Sequence, residues 1–274
     1  MRRRELTSLL KKMDFHPAKQ LGQNFMIDTN LLEFVVRTTG VSEGEPILEV
    51  GPGFGALTRA LLEAGARVTA LEYDKRLCEY LTNNIRNKNF TLVQGDACRV
   101  NYEEILKDFP VPFRCVANLP YSISTIFIAR MLELEKRPAE MLFMLQKEMA
   151  LRIASGPGTK NYGALSVRCQ AIYDVEYMRT VPPQVFYPPP EVESAIVRFR
   201  EKKDVPALEL LSILEKIVRP AFSQRRKKMR GVLKHLFDLE RLDRALAEAG
   251  ISHDARPEQL DVKTFIKFAE LLSK

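Results

Sequence analysis

At 274 residues, with 46% hydrophobic and 28% charged side chains, the chain can bury one sizeable core plus a small appendage, which excludes a disordered polar tract. No apolar run approaches the ~18 residues that a bilayer span needs, and Arg2, Arg3 and Arg4 lead into Glu5, not an apolar leader, so no cleaved signal or membrane partner is expected. A formal charge of +7 favours a polyanionic partner.

The first 28 residues read as a basic, turn-like segment, in which Arg2 to Arg4 form either a solvated tail or a nucleic-acid-binding arm. A helix is expected from Thr29-Asn30, with Leu31, Leu32, Val35 and Val36 on its buried side. Short apolar strands follow at 47–50, 68–71, 90–93, 114–117 and 141–145, with helical spacing between them at Leu57, Leu61 and Leu62 and over 74–85. Such alternation predicts an α/β fold whose mostly parallel sheet is covered on both faces. Segments 175–181 and 194–199, joined through Pro182, Pro183, Pro188, Pro189 and Pro190, suit a closing antiparallel pair. Strand patterns then stop, and helical ones run over 208–218, 239–249 and 262–272. Two domains are expected, a ligand-binding one at 1–204 and a small helical one at 205–274.

Cys78, Cys98, Cys115 and Cys169 form no C-x-x-C pair, and His16, His235 and His253 lie far apart, so no metal site is expected and the cysteines suit a reducing cytoplasm. Arg225, Arg226, Lys227, Lys228 and Arg230 crowd five cations into six residues. They are either a solvated face or a contact for nucleic-acid phosphates, and the general positive charge favours the second.

In a doubly wound sheet, ligands bind beyond the carboxyl ends of the strands. Four polar features fall there in succession: the loop Gly51-Pro52-Gly53-Phe54-Gly55, Glu72, Asp96 and Asn118. The glycines permit a tight positive-φ turn and close approach of a ligand, and Glu72 can accept hydrogen bonds from ribose hydroxyls. A dinucleotide loop would read G-x-G-x-x-G. Here the spacing is G-x-G-x-G, with Ala56 in place of the third glycine, and Glu49 to Gly55 resembles the first motif of class I methyltransferases. That resemblance implies S-adenosylmethionine, with Asp96 facing its adenine amino group.

Asn118-Leu119-Pro120-Tyr121 suits chemistry on an aromatic amine. The Asn118 side-chain carbonyl and the Leu119 backbone carbonyl can accept from the two N6 hydrogens of an adenine. Pro120 stiffens the turn and removes a competing N–H, and Tyr121 offers a face on which an extruded base stacks. The attacked nitrogen becomes acidic once alkylated, so no catalytic histidine is needed.

These residues resemble the ribosomal RNA adenine dimethyltransferases of the kasugamycin-sensitivity type. The resemblance extends to Leu21-Gly22-Gln23-Asn24-Phe25, to Gly163-Ala164-Leu165-Ser166, to Val185 to Pro190 followed by Val192-Glu193-Ser194-Ala195, and to Ala221 to Lys228. It implies a class I, Rossmann-like sheet of seven strands with a helical C-terminal domain. It implies cofactor contacts at Gln23, Asn24, Met26, Gly51, Gly53, Glu72, Asp96, Ala97 and Asn118. Asn118, Leu119, Pro120, Tyr121 and Phe186 are implied to hold the target base, with core packing as the rival role of Phe186. Arg225, Arg226, Lys227 and Lys228 are implied to contact RNA. Departures are Met26 for the usual leucine, Gln20 where a basic residue is common and Ser122 where asparagine is frequent.

The implied activity is N6,N6-dimethylation of two adjacent adenosines near the 3′ end of small-subunit (16S) ribosomal RNA. The implied partner is a pre-30S particle whose assembly the enzyme monitors, met by a cytoplasmic monomer. Three alternatives stay open: an erythromycin-resistance-type enzyme acting on large-subunit RNA, a non-catalytic nucleic-acid-binding relative, and a nicotinamide oxidoreductase.

Overall fold

The structure is a computed structural model that describes residues 3–18 and 21–273. Arg2 and Gln20 lie outside the described residues. Nine strands are present: β1 (Phe25–Met26), β2 (Pro46–Val50), β3 (Arg67–Glu72), β4 (Phe90–Gln94), β5 (Arg114–Asn118), β6 (Glu140–Gln146), β7 (Tyr173–Val181), β8 (Phe186–Tyr187) and β9 (Ser194–Glu201). Seven form one sheet in the order β4-β3-β2-β5-β6-β9-β7, while β1 and β8 pair separately. The pairings β2–β3, β3–β4, β2–β5 and β5–β6 are parallel.

The central strand β2 is buried at every position, as expected of a strand covered on both faces. Edge strand β4 is buried at none. Ile47, Val68, Ala70, Val116 and Leu142 pack with Leu57 and Leu61 of helix Ala56–Glu63 and with Leu31, Leu32 and Val35 of helix Thr29–Thr39. Asp28 caps the latter helix by accepting from Leu31 N–H at 2.7 Å, a bond worth about 1 kcal/mol.

The chain divides into two compact units, Met1–Lys147 with Tyr177–Phe199, and Glu148–Glu176 with Arg200–Lys274. The expected boundary after residue 204 lies close to the last crossing. The second unit also takes in helices Lys147–Ala154, from its second residue, and Ala164–Ile172, which the linear pattern did not separate from the sheet. Its core joins Val167 and Ala171 to Leu214, Ile217 and Val218 of helix Leu208–Ser223, Leu242 and Leu246 of helix Leu239–Ala249, and Phe265 and Phe268 of helix Val262–Ser273.

A further helix, Arg3–Lys12, occupies the segment read as a basic turn. Leu6 and Leu10 are buried on one face of it, against Phe15, Phe54 and Leu77. Arg3 lies over the Tyr187 ring at 5.5 Å, so this basic residue is not a free tail.

Candidate active site

In the first unit, the ends of β2, β3, β4 and β5 open into a cavity of about 320 Å³, the size of a small-molecule site. Gln23, Asn24, Met26, Gly51, Gly53, Glu72, Asp96, Ala97, Asn118, Leu119, Pro120, Tyr121 and Phe186 all line it. The four strand-end features expected from the sequence therefore meet in one place.

The glycine loop has the backbone that its composition predicts. Gly53 sits at φ +57°, and a Cβ there would come within 2.9 Å of the Phe25 ring. Phe54 is buried and packs edge-to-face on Phe15, Phe25 and Tyr80, at 5.3, 4.9 and 5.1 Å between ring centroids. The loop is thus pinned by its one large side chain while its glycine backbone stays open to the cavity.

Glu72 ends β3 as a buried carboxylate held by three backbone donors. Tyr73 N–H and Asp74 N–H donate to Oε1 at 2.8 and 2.9 Å, and Gly53 N–H donates to Oε2 at 3.2 Å. A carboxylate offers about four acceptor sites, so one remains on Oε2. Burial pushes this carboxyl upward, and the three N–H bonds draw it part of the way back. Below it in β2, Glu49 is 1% exposed, its Oε2 has no hydrogen-bond partner, and burial pushes it up to about 8.

Asp96 accepts from Cys98 N–H at 2.8 Å through Oδ1, and its Oδ2 lies 3.5 Å from Arg99 Nε. It therefore shapes its own turn as well as lining the cavity. Gln23 is committed at both ends: Oε1 accepts from Ala18 N–H at 2.8 Å and Nε2 donates to Asp74 Oδ2 at 2.9 Å. Asp74 in turn caps helix Lys75–Asn84.

At the end of β5, Asn118 Nδ2 donates to the Asn24 carbonyl at 2.9 Å. That bond fixes which end of the amide is spent and leaves Oδ1 as its acceptor at the cavity. Ile123 N–H and Ser124 Oγ both bond the Pro120 carbonyl, at 3.1 and 2.9 Å, so the turn closes without using the Leu119 carbonyl. Gly22 presses on this turn, since a Cβ there would stand 3.2 Å from Pro120 Cβ. The Tyr121 hydroxyl pairs with Ser194 Oγ at 2.7 Å.

Met26 and Phe186 face each other in the β1–β8 pair, which brings two distant sequence motifs together. Phe186 is buried in the core cluster, as core packing requires, and also lines the cavity. Sequence reasoning missed Leu6, Phe25, Phe54 and Tyr73 as lining residues. Tyr73 had a local signal, as an aromatic directly after Glu72, and the structure leaves it 58% exposed.

In the second unit, the basic run is not uniformly available. Arg225 donates to the Lys160 and Thr159 carbonyls at 2.5 and 2.9 Å, Lys228 pairs with Asp254 at 2.6 Å, and Arg230 holds Asp243 at 2.6 and 2.8 Å. Among the described residues, Arg226 and Lys227 are exposed and carry no ion pair. No group of three or more metal-ligating side chains, and no helix long and apolar enough to cross a membrane, occurs among the described residues.

Comparison with known proteins identifies the family and the fold. A protein named ribosomal RNA small subunit methyltransferase A from Pseudomonas putida is 41% identical over 258 residues, 93% of this chain and 94% of that one. A dimethyladenosine transferase from Plasmodium falciparum has a crystal structure matching 89% of this chain and 95% of its own, with a TM-score of 0.76 at 23% identity. The 23S rRNA methyltransferase ErmE matches 92% of this chain and all of its own, with a TM-score of 0.65 at 26% identity. The fold is that of the class I methyltransferases. The ribosomal RNA adenine dimethylase family matches residues 15–274, and the chain belongs to that family.

Proposed function

We propose that the chain transfers methyl groups from S-adenosylmethionine to the N6 atoms of two adjacent adenosines near the 3′ end of small-subunit ribosomal RNA, in a pre-30S particle of the cytoplasm. The observation that carries this reading is the Asn118 amide, whose nitrogen is tied to Asn24 and whose oxygen is left for a donor in the cavity.

The cavity suits the cofactor. A Cβ at Gly53 would collide with the Phe25 ring beside the cavity, the Glu72 carboxylate keeps one acceptor site for a ribose hydroxyl, and Asp96 and Ala97 line the same cavity for the adenine. A second ribose bond to Glu72 would replace its 3.2 Å contact with Gly53. When bound, S-adenosylmethionine supplies an electrophilic sulfonium methyl and departs as a thioether. In the first transfer Asn118 Oδ1 and the Leu119 carbonyl accept from the two N6 hydrogens, and in the second one of them accepts from the single N6 hydrogen left, so that the nitrogen lone pair is turned out of conjugation. Pro120 holds the spacing of these two acceptors, and Tyr121 and Phe186 provide aromatic surface for the extruded base. Excess protons leave to water from the alkylated nitrogen. The chain's contribution is alignment, which in favourable cases lowers a barrier by about 7–11 kcal/mol.

The 41% identity to a protein named for the small subunit, against 26% to a large-subunit enzyme, favours the small-subunit RNA. Mass spectrometry of nucleosides from small and large subunits treated with the protein tests this choice. Dimethyladenosine in the small subunit alone is the expected result, and label in the large subunit alone overturns it. Asn118→Ala should leave S-adenosylmethionine affinity within a few-fold and lower kcat at least 100-fold, in the range of lost transition-state donors and acceptors. Unchanged turnover would remove Asn118 from the mechanism.

A further inference from the structure

Tyr121 is tethered at both ends, and the second tether comes from a distant strand. Its backbone follows the Pro120 turn, closed by Ile123 N–H and Ser124 Oγ. Its hydroxyl meets Ser194 Oγ at 2.7 Å. Ser194 is the first residue of β9 and is 1% exposed. The residue before it is itself anchored: Lys147 N–H donates to the Glu193 carbonyl at 2.9 Å, and Lys147 Nζ pairs with Glu193 Oε2 at 2.7 Å. The hydroxyl oxygen lies on the χ2 axis, so a hydrogen bond there leaves rotation about χ2 free and acts on χ1 instead. A hydrogen bond at the para position stops the far end of the ring from swinging.

We propose that Ser194 is a positioning residue that holds the Tyr121 ring at the place where the target adenine stacks. This rests on the reading of Tyr121 as the base platform. A buried hydroxyl needs a partner, and the pair satisfies both residues at once. Ser194 touches neither the base nor the cofactor in this role and acts only through the tyrosine.

The test is a double-mutant cycle on the intact chain with Ser194→Ala, Tyr121→Phe and the double variant, with Ser194→Thr as the conservative control. The readouts are kcat and KM for small-subunit RNA, S-adenosylmethionine affinity, and fluorescence of 2-aminopurine placed at the target adenosine. Each single variant should lower kcat about three- to tenfold, the scale of one lost hydrogen bond. The double should fall no further, Ser194→Thr should recover activity, and the 2-aminopurine signal should change in Ser194→Ala with cofactor affinity constant. Losses that multiply in the double, or a Ser194→Ala variant with full kcat and unchanged fluorescence, would overturn the proposal. Tyr121→Phe supports or overturns it by the same kinetic criterion if Ser194→Ala does not fold. Full turnover in Tyr121→Ala is the separate result that defeats the base-platform reading itself.

Discussion

Glu49 shows how a single residue can be read twice. In the sequence it is the first letter of a loop motif, and in the structure it is a carboxyl in the middle of a fully buried strand with one oxygen lacking any partner. An unpaired charge in such a place is costly, and the group responds by keeping its proton. In the unfolded chain the carboxyl ionises near 4.5, and in the folded chain near 8. Between those values the folded state holds a proton that the unfolded state has released, so stability falls as pH rises, by up to about 1.4 kcal/mol per pH unit. Above the folded value the penalty is constant. Glu49→Gln keeps the shape and removes the titration. Urea unfolding at a series of pH values should therefore show the variant gaining on the parent protein from pH 5 to 8. Parallel stability curves would mean that Glu49 is ionised in the fold.

At the scale of elements, the glycine loop is held by its neighbours. Phe54 brings together Phe15 from the segment after helix Arg3–Lys12, Phe25 from β1 and Tyr80 from helix Lys75–Asn84. Phe54→Ala should cost about 3–5 kcal/mol in denaturant unfolding. It should also weaken S-adenosylmethionine binding in calorimetry, the reverse of the pattern expected for Asn118→Ala. Unaltered cofactor affinity would show that the loop keeps its shape without the aromatic anchor. Much of this site could be read from the sequence, because parallel strands appear as apolar runs and their polar ends mark one edge of the sheet. Glu72, Asp96 and Asn118 were found that way. Helix Arg3–Lys12 was not, although Leu6, Leu9 and Leu10 have helical spacing, because the partners that bury it, Phe54 and Leu77, lie far along the chain. The Ser194 hydroxyl was unreadable for the same reason, since nothing local marks a serine as the partner of Tyr121. The second unit is assembled from two separated stretches, so a single linear boundary could not describe it.

Over the whole molecule, the +7 charge matters through where its cations are free. A cation bound to its own protein has already lost part of its electrostatic reach. Arg225 is spent on two carbonyls, Lys228 on Asp254 and Arg230 on Asp243. The Lys228 pair is exposed and contributes little to stability, so RNA phosphate can compete for that lysine. Arg225 differs because it closes the loop at Thr159 and Lys160 and also lies 3.7 Å from Glu258, so its departure would break all of these contacts. Arg226 and Lys227 have no such duty, so the phosphate contacts expected of this segment fall first on them. Counterion release then makes a quantitative demand: each phosphate-contacting cation removed should flatten the slope of log K against log salt by about 0.7–0.9. Joint replacement of Arg226 and Lys227 by alanine should reduce the slope for small-subunit RNA by about 1.4–1.8 and leave thermal unfolding within a degree or two. Arg225→Ala should lower the unfolding midpoint and change the slope less than either of its neighbours. Equal slope changes at all three positions would show that Arg225 exchanges its carbonyl partners for phosphate on binding, and the division of labour drawn from the hydrogen bonds would fall.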